Sequence, residues 1–486
     1  MTHFLLAGCA LLAIAGPAVA QQHDHGAMPM PASAPAPAPA PPSTALDSCT
    51  MTVAGDGTVA CNPGNPTTAM DHASMDGATP MQGPVPPMES AVVDHGAMGH
   101  GTTDHESMAH GAGEGSGTSR LPINEVMSHG AMVDLGKDAS LMLHGYLWPV
   151  YTHQPGPRGD DKLYVQSMAM ATVNGSFAGG RWMARTMLSA EPAMRHDGYP
   201  NLFATGEVAY GQPLVDRQHP HDLVMELAGR MDFDVASGTS VFLYGGPVGE
   251  PALGPSAFMH RASARYNPEA PITHHWFDST HIAYGVVTAG VSAPTWQIEG
   301  SAFRGREPDE FRWNIETPKL DSWSVRASYA PSPAWLIQAS YGEIDEPEEQ
   351  HPGEDERRVT ASAHFNDGRG LSAMGAVSTK NRVPGRTLTA WLGEVNWDID
   401  QHHTAFGRIE NVKNDELFPD HASPLHDIAF RVTKFQVGYA YRIPVGPVKL
   451  ALGGTVSAFA MPHRLDQYYG DSPMGFTLFA RFSFGD

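Results

Sequence analysis

The chain has 486 residues, 52 acidic against 30 basic side chains, a formal charge of −22, and 17% charged beside 41% apolar residues. Phosphate binding needs clustered Lys and Arg, and no such cluster occurs, which excludes a nucleic-acid partner. Beyond the N-terminus no apolar run reaches the roughly 20 residues that a spanning helix needs, which excludes a helical membrane protein.

The apolar run Phe4 to Ile14, followed by Gly16-Pro17 and the small-x-small pattern Ala18-Val19-Ala20, reads as a secretory signal peptide over residues 1–20. Leu6-Ala7-Gly8-Cys9 imitates a lipoprotein box, but the apolar segment before Cys9 is too short and the run continues past it. Loss of the signal leaves Cys49 and Cys61, an even pair in an oxidising compartment. A disulfide is expected there in preference to thiolate metal ligands.

Residues 21–139 form the second segment. No Lys or Arg precedes Arg120, and Pro, Ala, Gly, Ser and Thr crowd the stretch, with an alternating Pro-Ala run from Pro35 to Pro41. Such a composition buries too little apolar surface to offset its ordering entropy, so a disordered tail is expected. A short unit, Asp-His-x-x-Met, recurs in it. The copies hold His25 and Met28, His72 and Met75, His95 and Met98, and His105 and Met108, with His129 and Met132 in a variant that begins with Ser128. Met30, Met70, His100 and His110 lie between them as further donors, as do Met81 and Met88.

Thioether sulfur is a soft donor suited to Cu(I) or Ag(I), and imidazole also takes Cu(II), so a chain alternating the two keeps copper through a redox change. The carboxylate beside each His can accept the free ring N–H and raise the basicity of the ligating nitrogen. A biased linker whose Met and His reflect composition alone is the competing account, but methionine normally fills cores, and an unfolded segment has none to fill. The tail is therefore expected to bind copper, with silver as a second ion.

From residue 140 to 486 the pattern becomes runs of about ten residues with two-residue alternation, the signature of tilted membrane strands. Trp323, Val325, Ala327 and Tyr329 share one face, opposite Ser324, Arg326 and Ser328. Leu223, Met225, Leu227, Met231 and Phe233 oppose Glu226, Arg230, Asp232 and Asp234. Short connections, such as 178–180, 236–238 and 444–447, alternate with long ones at about 151–161, 191–222, 247–281, 305–320, 343–357, 380–387, 412–429 and 461–473. Short turns on one rim and long loops on the other predict an all-β fold: an antiparallel transmembrane barrel of about 16 strands in outer-membrane lipid, both termini periplasmic.

The long loops are rich in imidazole: His219-Pro220-His221-Asp222, then His260, then His274-His275 with Asp278 and His281. On a helix His274, Asp278 and His281 would share a face, so His219, His221, His274 and His281 are candidate metal ligands, against the plainer reading that they hydrogen-bond within loops. Met168, Met170, Met183 and Met187 share the luminal phase with Gln166, Arg181 and Arg185, either as a soft-ion path or as packing against an internal plug. The acidic stretch Glu343 to Glu349 reads as solvated surface.

Signal, Asp-His-x-x-Met repeats from Asp24 to Met132 and an outer-membrane barrel, in that order, resemble the copper-resistance protein B family. The resemblance implies copper sequestration in the periplasm or copper export through the lumen, and a periplasmic copper protein as partner. Two other readings stand beside it: a general or solute-specific porin with an incidental tail, and a barrel-embedded hydrolase using His219, His221 and Asp222. No nucleophile elbow, phosphate loop or paired-Cys zinc motif is present, so no enzymatic activity is expected.

Overall fold

In the computed structural model, residues 51–53, 59–61, 113–125 and 130–485 are described. Signal peptide, disulfide and all the tail ligands from His25 to His129 lie outside the described residues. Met51–Val53 and Val59–Cys61 form a separate antiparallel ladder.

Sixteen long strands make one closed antiparallel barrel. In chain order they are β1 Ala139–His153, β2 Asp161–Phe177, β3 Gly180–Leu188, β4 Val224–Ala236, β5 Thr239–Gly249, β6 Ala283–Ser292, β7 Trp296–Phe303 and β8 Ser322–Ser332. The second half is β9 Trp335–Ile344, β10 Asp355–Asn366, β11 Leu371–Val383, β12 Thr387–Asp398, β13 His403–Asn414, β14 Phe430–Val445, β15 Val448–Ala460 and β16 Met474–Phe484. Each strand pairs with the next, and β16 returns to β1, with Phe476 opposite His153 and Phe484 opposite Gly145. Closure leaves no long edge unpaired, which a sheet in lipid requires.

Alternation of side chains sets the barrel's two faces. Trp323, Val325 and Tyr329 on β8 point outward and are exposed, whereas Ser324, Arg326 and Ser328 are buried inside. On β4 the predicted face is broken: Met225 is 1% exposed and lies inside the wall, while Leu227, Met231 and Phe233 face outward. A register shift between Val224 and Glu226 against β3 inserts the extra residue that turns Met225 inward. Trp296, Tyr329, Trp335, Trp397, Tyr441 and Phe484 are exposed near the short turns, an aromatic girdle at one membrane interface. The closed sixteen-stranded wall with an apolar, aromatic-girdled outer face is the architecture of a membrane-spanning β-barrel.

The short rim has turns at 178–179, 237–238, 293–295, 333–334, 367–370, 399–402 and 446–447. Gly179 (φ 84°) and Gly446 (φ 61°) occupy the left-handed backbone that two-residue turns demand. The long rim carries 154–160, 189–223, 250–282, 304–321, 345–354, 415–429 and 461–473, and at 384–386 only a tight turn where a longer loop was predicted.

The barrel unit begins earlier than residue 140. Ala131–Gly136 pairs with the start of β1, Met132 opposite Met142, and the Gly130 N–H donates to Gly485 O (2.9 Å). Residues 115–121 are buried: Arg120 donates to Ala293 O and Ser116 bonds Ser256. Composition marks this Gly/Ser-rich stretch as tail. A polar lumen, unlike an apolar core, can fold such a segment into itself.

The lumen is filled chiefly by 250–282, which folds inward and is buried almost throughout. Its polar groups meet the walls of many strands. Arg261 forms ion pairs with Asp278 (3.0 Å) and with Glu394 on β12 (2.7 Å). Glu269 pairs with Lys434 on β14 (2.7 Å), and Thr273 donates to Glu410 on β13. Toward the long rim, Leu202, Phe203, Trp276, Phe277, Leu417 and Tyr469 join one apolar cluster with Leu388, Val412 and Val432 of the wall. Removing one partner of a buried pair strands the other charge, at a cost of about 3–5 kcal/mol. Glu269→Gln should therefore destabilise the folded lumen by about that amount in denaturant titrations in detergent, and Glu269→Leu with Lys434→Met should recover most of the loss. A wild-type midpoint in Glu269→Gln would show the pair to be idle.

Candidate functional site

Three long-rim segments carry the luminal histidines. Tyr199–Pro200 pairs with Arg217–Gln218 and so fixes the start of His219-Pro220-His221. His274 and His275 open a four-residue helix, His274–Phe277, and His281 ends the 3-10 turn Ser279–His281. The spacing allowed either a helical face or a loop. A short helix and a turn bring His274, Asp278 and His281 together instead.

His219, His221, His274, His275 and His281 are each under 10% exposed and lie ring against ring. Ring centroids are 5.2 Å apart for His274 and His281, 5.3 Å for His221 and His281, and 6.0 Å for His219 and His274. In four of them, His219, His221, His274 and His281, Nδ1 is hydrogen-bonded. His281 Nδ1–H donates to Asp278 O (2.7 Å) and His219 Nδ1–H to Pro220 O (3.1 Å), since a carbonyl oxygen only accepts. His274 Nδ1 bonds the Asp278 carboxylate (2.9 Å) and His221 Nδ1 that of Glu191 (2.8 Å). This arrangement leaves Nε2 as the lone-pair nitrogen, the orientation that metal-binding imidazoles usually receive from an outer partner. Nε2 of His219 and His281 is buried without a hydrogen-bond partner.

The four predicted histidines thus share one array, but they do not converge on one point. Among the described residues, sets with ligand atoms all within 4.8 Å are Glu207–His219–His275 and Glu348–His351–Glu416. Glu207, His275 and His351 carried no spacing signal, because their partners lie in other loops.

A second feature lies below the array. Met168, Met170, Met187 and Met225 are buried with Val248, Ile282 and Tyr284, and Met142 and Met259 pack against them. Three of the four methionines read as luminal from the strand phase belong to this patch; Met183 is buried on the same face. Next to it a cavity of about 60 Å³ is lined by His144, His221, His260, Met168, Met259 and Glu191, together with Arg265 and Arg481. It has room for a few waters or an ion and excludes a sugar or peptide.

Asp222, which the hydrolase reading needs beside a histidine, accepts instead from Tyr284 (3.0 Å) and Arg312 (3.2 Å).

Burial holds the His260 imidazole down at about 3, with the His144, Arg185 and His221 charges acting in the same direction. Burial likewise keeps His281 well below its usual range, as do His274 and His221, against Asp278. These rings are neutral at pH 7. Unfolding exposes them to a pKa near 6.5, so the unfolded chain binds more protons below that value and stability falls as pH falls. Denaturant midpoints should drop between pH 6.5 and 4.5, with a shallower slope in His260→Leu. Equal slopes in wild type and variant would contradict the neutral assignment.

No protein-family model and no curated protein matches the sequence. Similar solved structures include OmpF of Salmonella typhi in complex with daunomycin, at 10% identity, 73% of this chain, 100% of that chain and TM-score 0.47. Others are an anion-selective porin from Comamonas acidovorans (11%, 71% and 100% covered, TM-score 0.46) and the outer-membrane channel DcaP of Acinetobacter baumannii (12%, 73% and 99%, TM-score 0.43). Likeness of this order says nothing of the solute. No helix among the described residues is long and apolar enough to cross a membrane.

Proposed function

We propose that this chain is a solute-selective, porin-like protein of the outer membrane whose solute is a soft metal ion, copper or silver, and that it serves copper tolerance. The luminal cavity of about 60 Å³ carries this reading. Its wall sets two thioethers, Met168 and Met259, beside three imidazoles, His144, His221 and His260. Thioether and imidazole together suit Cu(I) and Ag(I) and discriminate against Na⁺, Mg²⁺ and Ca²⁺, which prefer oxygen.

The Asp-His-x-x-Met repeats from Asp24 to Met108 offer the same donor pair many times over. A tail on the periplasmic side would collect ions there, alone or with a periplasmic copper protein. The resemblance to the copper-resistance protein B family supports this reading through the tail's chemistry.

A second reading is a porin selective for a small inorganic anion, with the tail incidental. Arg265 and Arg481 on the wall of the same cavity favour it. Arg481 lies over Tyr146 (5.2 Å) and Trp148 (5.3 Å), stacked on both rings.

Purified full-length protein should bind Ag(I) in detergent, and Met168→Leu with Met259→Leu should remove one luminal equivalent while the fold remains. In proteoliposomes the wild type should pass Ag(I) faster than chloride or a monosaccharide. Chloride flux exceeding Ag(I) flux would favour the anion reading, and an unchanged Ag(I) stoichiometry in the double variant would remove the cavity from the account.

A further inference from the structure

A separate group of donors, free of sulfur, lies at the other end of the histidine array. Glu207 belongs to the small hairpin Glu207–Ala209 with Gln212–Leu214, His219 follows the ladder at Arg217–Gln218, His275 is on the inward loop, and Glu307 is in 304–321. Their exposures are 8%, 7%, 5% and 8%. His219 Nε2 is 3.2 Å from Glu207 Oε1, and His275 Nδ1 is 3.3 Å from Glu307 Oε2.

We propose that Glu207, His219 and His275, with Glu307 beside His275, form a binding site for one divalent first-row transition-metal ion, Cu(II) or Zn(II), distinct from the thioether cavity. It deepens the metal-handling reading and rests on it.

Three observations carry the inference. First, the close pairs are misaligned as hydrogen bonds: His219 Nε2, His275 Nδ1 and both Glu307 oxygens are buried with no partner. Ion pairs of this kind normally align N–H with oxygen, because an unsatisfied buried polar atom costs about 1–3 kcal/mol. Second, the spacing fits a coordination shell. Ligand atoms of Glu207, His219 and His275 all lie within 4.8 Å of one another, and His219 Nε2 is 3.2 Å from Glu207 Oε1, close to the edge of about 3.3 Å in a tetrahedron with metal–ligand bonds near 2.0 Å. Third, the surroundings orient the donors. Pro220 O holds the His219 Nδ1–H, and Arg312 takes the other Glu207 oxygen (2.7 Å), turning Oε1 toward His219. Gly206 (φ +110°) makes room, since a Cβ there would fall 2.5 Å from His275 Nδ1.

Two imidazoles and one carboxylate, with a fourth position left for water, suit Cu(II) and Zn(II), with Cu(II) the tighter, and give Cu(I) no thioether.

The test uses the full chain in detergent, stripped with chelator and titrated with Co(II) as a spectroscopic stand-in for Zn(II). The expected result is one tight equivalent with the intense visible bands of four-coordinate Co(II). His219→Asn and His275→Gln should each weaken that equivalent on the order of 100-fold, whereas His221→Ala leaves it in place. Replacing the tail histidines His72, His95 and His105 by Ala should also leave it in place. Absence of the four-coordinate spectrum in the wild type, or its loss only in the tail variant, would overturn the site. Retention in both His219→Asn and His275→Gln would overturn it equally. The Ag(I) equivalent of the thioether cavity is read independently, so loss of this site alone leaves the soft-metal reading intact, and loss of Ag(I) binding alone leaves this site.

Discussion

A strand in a barrel wall must send every second side chain inward, and in this chain those side chains are Arg, Lys, Glu, Gln, Ser and Thr. Sixteen strands enclose a space wide enough to be a water channel. Here 250–282 occupies that space and meets the wall through matched charge: Arg261 with Glu394, Glu269 with Lys434, and Gly254 O with Arg326. The charges on wall and loop are each too costly to bury alone, so the loop and the polar wall hold each other in place. Every feature of the luminal site depends on that mutual arrangement.

Histidines on a free loop would be solvated, mobile and partly protonated. Folded into the lumen, His219, His260 and His281 are buried and neutral, and Pro220 O and Asp278 O fix the tautomers of His219 and His281. Desolvation has a chemical consequence: a neutral ring with a fixed Nδ1–H has one nitrogen to offer, and its direction is set. The methionine patch beside it adds polarisable sulfur without charge. From the same filled lumen follow small spaces, a cavity for an ion in place of a passage for organic solutes.

Strand phase, the alternation of short and long connections and the number of strands were legible in the sequence because lipid outside and polar lumen inside impose a period of two. The luminal position of Met168, Met170, Met183 and Met187 followed from the same period. Met225 was misplaced because a bulge changes phase with no residue to announce it. Residues 113–125 read as tail because composition distinguishes a polar segment from an apolar core but not from filling for a polar lumen. His219, His221, His274 and His281 were recognisable as a dense imidazole set. Glu207 and Glu307 were not grouped with them, and His275, named in the same run, was not counted as a ligand, since only the inward fold of separate loops makes these three neighbours. The chemistry of the tail, from His25 to His129, rests on its repeated residues and lies outside the described structure.

The central claim is that the inward loop closes the pore to hard ions and organic solutes and leaves at most a slow path for a soft metal ion. The direct measurement is the current through wild-type protein in a planar bilayer in potassium chloride at low voltage. A filled lumen predicts that the inserted protein stays closed, with at most brief, small openings. A steady ohmic conductance like that of an open sixteen-stranded pore would contradict the account, because 250–282 could not then be lodged across the lumen.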